Sequence, residues 1–216
     1  MQDILLTGFD PFGEETINPA TEVIKELAGM KIKNHRIESL EIPTVRNSSL
    51  KVIEEKIAEL KPELVINIGQ AGGRSAVSIE RVAINVDDYR IEDNDGNQPV
   101  DQAINPDGPT AYFATLPVKA MVKKLQEAGI PAEVSNTAGT FVCNHVMYGV
   151  LDYIQQNGLD IPAGFIHIPF LPDQVIDKPG KPSMALSIIK QGILLAIEAA
   201  IENKNKDISY QAGKIH

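Results

Sequence analysis

Cys143 is the only cysteine among 216 residues, and it stands in "TFVCNHVMYG" (140–149), directly after the small, polar "SNTAGT". In the first turn of a helix, free backbone N–H groups and the positive end of the helix dipole favour a thiolate, the reactive form of a nucleophile. On the same helix Cys143 shares an apolar stripe with Val146, Met147, Val150 and Ile154, so the thiol equally suits a small buried hydrophobe. Burial raises its pKa; the helix start lowers it.

A nucleophile needs a base, and His145 is unsuitable because two positions along a helix turn the side chain through about 200°. His167 lies in "GFIHIPF" (164–170), a segment apolar on both faces and therefore a central strand. Near the carboxyl end of such a strand a histidine reaches the rim where open α/β sheets bind ligands, although a satisfied core histidine is the other reading. In "AVSIERVAINV" (76–86), alternation puts Glu80 on one face with Val82, Ile84 and Val86. A carboxylate there needs compensation, either from an imidazole or from an arginine such as Arg74 or Arg81. A nucleophile and its imidazole need such a third group to hold the ring in orientation and to stabilise it when charged.

These residues require elements to hold them, and the periodicity supplies an alternating series. "DILLTGF" (3–9) reads as a strand, followed by the turn-rich "GFDPFG" and a helix that Asn18 can cap and Pro19 can open. A strand over 35–45, a helix over 48–62 and a buried strand over 63–70 follow. Beyond the β-rich 76–86 come a helix over 116–131, a strand over 132–136, the helix from about 141 to 156, the strand 164–170 and a last helix from 183 to about 202. The pattern predicts an α/β fold: one domain over 1–216, a three-layer α/β/α sandwich around a largely parallel, mixed, twisted sheet. Cys143 follows the strand 132–136 and is therefore expected at the carboxyl rim, with "GFDPFG", "GQAGG" and His167. Residues 87–108 form one long irregular stretch rich in Asp, Asn, Gly and Pro, of a length more often functional than idle.

Composition narrows the chemistry. A net charge of −9 with no cluster of Lys and Arg excludes a nucleic-acid surface. A single cysteine allows no internal disulfide, the first residues lack a signal-peptide pattern, and no apolar run is long enough to cross a membrane, so a cytoplasmic protein is expected. "GFDPFG" lacks the Lys and Ser or Thr of a phosphate loop, and "GQAGG" does not match a dinucleotide fingerprint. "EDNDGN" resembles a calcium loop only superficially, with Ile91 and Gln102 where acidic ligands belong. The histidines at 35, 145, 167 and 216 include no pair at metal-ligand spacing. No metal and no cofactor are expected.

"TGFDPFG" with Asn18-Pro19, "NIGQAGGR" followed by "IERVAINVDDYRIEDNDGNQPVD", "SNTAGTFVCNHVMYG" and "GFIHIPFLP" together resemble the pyroglutamyl peptidase I family, the pyrrolidone-carboxylate peptidases, over essentially the whole chain. The resemblance implies a cytoplasmic cysteine peptidase without metal, commonly a homotetramer, that removes N-terminal pyroglutamate from peptides. It implies a triad of Cys143, His167 and Glu80, with the Cys143 backbone N–H and Arg90 as oxyanion donors. A pocket for a neutral, half-apolar lactam wants aromatic walls and a few polar groups. Phe9, Phe12, Phe141, Val142 and Ile91 could supply the walls, and Asn18 and Gln70 the polar contacts, against plain core packing for the phenylalanines and capping for Asn18. The rivals are a non-catalytic small-molecule binder on the same scaffold and a nucleoside or sugar hydrolase or phosphorylase.

Overall fold

The structure is a computed structural model that describes residues 2–204 and 206–213; His216 lies outside the described residues. Along the chain run β1 (Gln2–Phe9), α1 (Pro19–Leu27), β2 (Lys31–Ile32), β3 (His35–Ile42), α2 (Arg46–Leu60), β4 (Leu64–Gln70), β5 (Val77–Glu80) and β6 (Val82–Ile84). They are followed by β7 (Ala111–Phe113), α3 (Val118–Glu127), β8 (Ala132–Ser135), α4 (Val142–Gln156), β9 (Ala163–Ile168), a 3₁₀ turn (Pro172–Val175) and α5 (Leu186–Glu202).

Seven strands form one sheet in the order β2-β3-β1-β4-β9-β5-β8. β3, β1, β4 and β9 run parallel, whereas β5 pairs with β9 antiparallel and β8 runs parallel to β5. The alternation of side chains divides the core between the two faces. Ile4, Leu6, Ile66, Ile68, Val77, Ile79 and Ile166 pack under α1, α3 and α5. Leu5, Phe9, Val65 and Phe165 pack under α2 and α4. The result is the expected three-layer α/β/α sandwich, and β9 sits inside the sheet with every residue buried.

Two features depart from the sequence reading. The β-rich 76–86 is not one strand: at Arg81 the chain leaves the main sheet, with Arg81 N–H donating to the Ser135 carbonyl and its own carbonyl accepting from Ala114 N–H. β6 then pairs with β7 in a separate two-stranded sheet, so Glu80 shares no face with Val82 or Ile84, and Ile84 is exposed. Secondly, β8 runs against β9, so its end does not lead to the carboxyl rim of the parallel strands. The start of α4 reaches that rim through the loop 136–141, with Cys143 Sγ set against Gly69 near the end of β4.

Candidate active site

His167 occupies the face of β9 shared with Ala163 and Phe165, which looks toward α4. In register it lies beside Gly69 of β4 on one side and Ser78 of β5 on the other. Glu80, two positions beyond Ser78, is on the same face and reaches the imidazole diagonally across the strands. Glu80 Oε1 lies 2.7 Å from His167 Nδ1. A carboxylate only accepts, so Nδ1 carries the proton and the lone pair is left on Nε2. Arg74 Nη1 donates to the same Oε1 at 2.6 Å, and its Nη2 donates to the Thr137 carbonyl at 3.1 Å. The two partners considered for Glu80, imidazole and arginine, are thus both present. Burial raises the Glu80 pKa, but the hydrogen bonds of His167 and Ser135 and the charge of Arg74 outweigh it and hold the carboxyl below its ordinary value.

Cys143 is the second residue of α4. The first helical bond of this segment runs from His145 N–H to the Phe141 carbonyl, so the N–H groups of residues 142–144 have no acceptor within the helix. The sulfur hangs over Gly69: a methyl group there would approach Sγ to 3.0 Å and the Phe165 ring to 2.8 Å. Only glycine leaves this space, and Gly69 is the register neighbour of His167. Cys143 and His167 thereby face one cavity of about 210 Å³. Enclosure pushes the thiol up to about 12, aided by the Glu80 charge and opposed by Arg74 and the Cys143 N–H. Burial likewise holds the imidazole below its ordinary value, against the pull of Glu80, with Arg74 adding to the depression. Both shifts favour the neutral forms, thiol and imidazole, so enclosure outweighs the helix start at the sulfur.

Phe9, Phe12 and Phe141 line the cavity, with Phe12 and Phe141 centroids 6.0 Å apart. Tyr89 packs edge-on to Phe141 at 4.7 Å and supports that wall from behind. Asn18 and Gln70 also line it. The Asn18 side chain caps α1, accepting from Ala20 N–H at 3.0 Å and donating to the Asp10 carbonyl, so its capping reading is realised. Three expected residues lie outside the lining. Val142 is fully buried because it shares the helical core stripe with Val146 and Val150. Arg90 and Ile91 are exposed on the 87–102 loop, whose course is set by an Asp87–Gln102 bridge and by turns closed on Asp93.

The sequence reading considered Arg74 only as a partner of Glu80 and passed over other residues that build the site. Arg74, Thr44 and Gly139 line the cavity, and among the described residues no Asp or Glu does. Asn144 is fully buried: its Nδ2 donates to the carbonyls of Ile84 and Val86, and its Oδ1 accepts from Ile84 N–H, which ties the first turn of α4 to β6. An amide inside an otherwise apolar helical stripe was the available signal. His145 turns away to Asp87 at 2.9 Å, as its helical position requires. A larger, open depression of about 870 Å³ beside Arg81, Lys119 and Tyr210 has neither a thiol nor an imidazole among the described residues that line it.

The profile of the Peptidase_C15 family, pyroglutamyl peptidase, matches residues 2–203. The chain belongs to the pyroglutamyl peptidase family. It is a hydrolase of cysteine type. It is 57% identical to the pyrrolidone-carboxylate peptidase of Clostridium botulinum over 212 residues, covering 98% of this chain and 99% of that one. The crystal structure of Bacillus amyloliquefaciens pyroglutamyl peptidase I superposes with a TM-score of 0.93 at 46% identity, covering 96% and 100% of the two chains. The pyrrolidone carboxyl peptidase of Thermococcus litoralis gives a TM-score of 0.94 at 39% identity, covering 97% and 99%. Among the described residues of this pyroglutamyl peptidase relative, no helix is long and apolar enough to cross a membrane.

Proposed function

We propose that this member of the family removes N-terminal pyroglutamate from peptides with Cys143 as nucleophile, His167 as base and acid, and Glu80 as the group that orients the imidazole. The observation that carries the reading is one cavity in which the only thiol and an imidazole meet aromatic walls, with no carboxylate among the described residues of the lining. An enzyme gripping a free ammonium would want an acid there, whereas Arg74 would repel the cation. A neutral lactam meets neither obstacle.

In the first step the Cys143 proton passes to His167 Nε2 as the sulfur attacks the carbonyl joining pyroglutamate to the next residue. With both groups held toward their neutral forms, the base acts during attack rather than before it. The tetrahedral oxyanion is met by the free Cys143 N–H at the start of α4, where the helix dipole also favours negative charge. Arg90, exposed on the neighbouring loop, is the side-chain candidate for a second donor. Nε2 returns the proton to the leaving amine, the C–N bond breaks, and a thioester remains. Water then gives a proton to Nε2 and attacks the thioester; the C–S bond breaks, and the sulfur recovers its proton as pyroglutamate leaves. Glu80 stays ionised throughout and stabilises the transient imidazolium.

The test is release of fluorophore from a pyroglutamyl amide under reducing conditions. Cys143→Ser and His167→Ala should each lose on the order of 10⁴-fold or more in kcat/KM, and Glu80→Gln less. Mass spectrometry of quenched turnover should find the pyroglutamyl group on the tryptic peptide bearing Cys143. Turnover surviving in Cys143→Ser would end the proposal.

A further inference from the structure

Gln70 closes β4 and borders the cavity, but which end of its carboxamide meets a ligand depends on residues outside the cavity. The side chain of Gln174, in the 3₁₀ turn that follows β9, is buried behind it. Gln174 Oε1 accepts from the backbone N–H of Leu171 at 2.9 Å. Its Nε2 donates to Glu15 Oε2 at 2.9 Å and to Gln70 Oε1 at 2.8 Å, with the Ile17 carbonyl farther off at 3.4 Å. Glu15 is in turn paired with Lys178 Nζ, which also donates to the Gln174 carbonyl.

The orientation of an amide is settled by its neighbours when they can act in only one sense. A backbone N–H only donates and a carboxylate only accepts. Reversing Gln174 would set NH₂ against N–H at Leu171 and oxygen against oxygen at Glu15. With Gln174 fixed, its NH₂ stands 2.8 Å from the Gln70 carboxamide, where a second NH₂ would set donor against donor, so the Gln70 oxygen must face it. The Gln70 NH₂ is then the end left for the cavity, and no described hydrogen bond uses it.

We propose that Gln174 is a positioning residue for substrate selection: through the relay from Leu171 and Glu15 it holds Gln70 with its NH₂ toward the cavity, which makes that wall a donor for a ring carbonyl. This rests on the lactam reading above. A five-membered lactam presents one C=O and one N–H, and a wall that could turn either way would take the ring in either orientation. A wall fixed as a donor admits the carbonyl and leaves an N–H facing it unpaired, which is costly in a desolvated site.

The experiment uses the full chain with the fluorogenic pyroglutamyl amide. Gln174→Met removes the donor, and the nearly isosteric Gln174→Glu replaces it with an acceptor that lets Gln70 reverse. Each should raise KM about tenfold, the equivalent of one hydrogen bond, while kcat stays within about threefold. In a Gln70→Leu background, Gln174→Met should add less than about twofold, since the relay then has nothing to orient. Unchanged KM in Gln174→Glu, or losses that multiply in the double variant, overturns the proposal. Failure of the wild type to cleave the amide instead refutes the lactam reading. The relay is also read without turnover or variants, by NMR exchange of side-chain amide protons in the wild type: the Gln174 NH₂ should be protected and the Gln70 NH₂ fast. The reverse order overturns the orientation.

Discussion

Gly69→Ala probes the site without altering any proposed catalytic group. A methyl group at 69 would stand 2.8 and 2.9 Å from two Phe165 ring carbons and 3.0 Å from Cys143 Sγ. Apolar contacts settle at about 3.5–4.0 Å, so one or both neighbours must retreat by about 0.7–1 Å. Phe165 is fully buried between Phe9, at 6.2 Å between centroids, and His167, at 4.8 Å, and has little room. The sulfur borders the cavity and yields more easily, moving off the strand that neighbours His167. A displacement near 1 Å of a reacting atom costs about 10²-fold in rate. The stability cost is smaller: about 1–3 kcal/mol for overpacking, offset by about 0.5–1 kcal/mol because alanine is preferred to glycine within a strand.

Gly149→Ala is the control. Its methyl would press on Leu50 between α4 and α2, remote from the sulfur, so it should lower stability without slowing the reaction. Steady-state kinetics and urea unfolding on both variants separate the effects. The expected result is kcat down about 10²-fold for Gly69→Ala at nearly unchanged KM, and kcat near wild type for Gly149→Ala. If Gly69→Ala retained kcat within about threefold, the sulfur would not react from its seat over Gly69 and the geometric argument would fail.

Other consequences can be measured on the same material. Because His167 must be neutral to accept the thiol proton and lies below its ordinary 6.5, kcat/KM should fall only on acidification past that value. Arg74 contributes to the depression, so Arg74→Met should move the acid limb to higher pH; a limb that stays or moves down contradicts the assignment. Asn144→Ala strands the backbone groups of Ile84 and Val86 and should cost about 2–4 kcal/mol in urea unfolding and lower kcat as the start of α4 loosens; a loss below about 0.5 kcal/mol would show that this clasp does not hold the helix. Glu63 bonds His35 at 2.7 Å and Lys204 at 2.8 Å, and these partners outweigh burial to hold its pKa below 4.5. Its stabilisation is therefore present above pH 4.5 and lost as pH falls through the lower folded value, so Glu63→Gln should weaken the fold at pH 7 and flatten the stability profile in acid.

The layers and most elements were legible because they rest on local signals. Asn18 and Pro19 begin α1 as a cap and a first-turn proline should, and the apolar run of β9 marks a strand covered on both sides. Strand direction was not legible. Nothing in the composition of 76–86 or 132–136 says that β5 and β8 run against β9; the loop 71–76 and the hydrogen bonds of Arg81 decide that, and both act at long range. Buried Glu80 could be inferred from an incorrect alternation, since Ser78, not Val82, is its true face-mate. Val142 was recoverable: helical spacing to Val146 and Val150 assigns it to the core. The path of the loop that carries Arg90 and Ile91 was not, because it is fixed by particular partners such as Asp93 and Asp87.

The resting charges connect these points. Arg74 and the helix start both favour a thiolate, yet enclosure beneath the loop 136–141 and the nearby Glu80 charge prevail, and the same enclosure depresses His167. A preformed ion pair would be reactive toward any small electrophile that entered. A neutral pair becomes nucleophilic only when proton transfer is coupled to attack, which demands a carbonyl already seated between Sγ and the Cys143 N–H. Alkylation by iodoacetamide, which needs no seat, should therefore be slow at pH 7 and still rising with pH above 9, while hydrolysis of the amide proceeds at pH 7. Rapid alkylation at neutral pH, with a midpoint near 7, would mean that the ion pair exists in the free enzyme and that burial does not govern the sulfur.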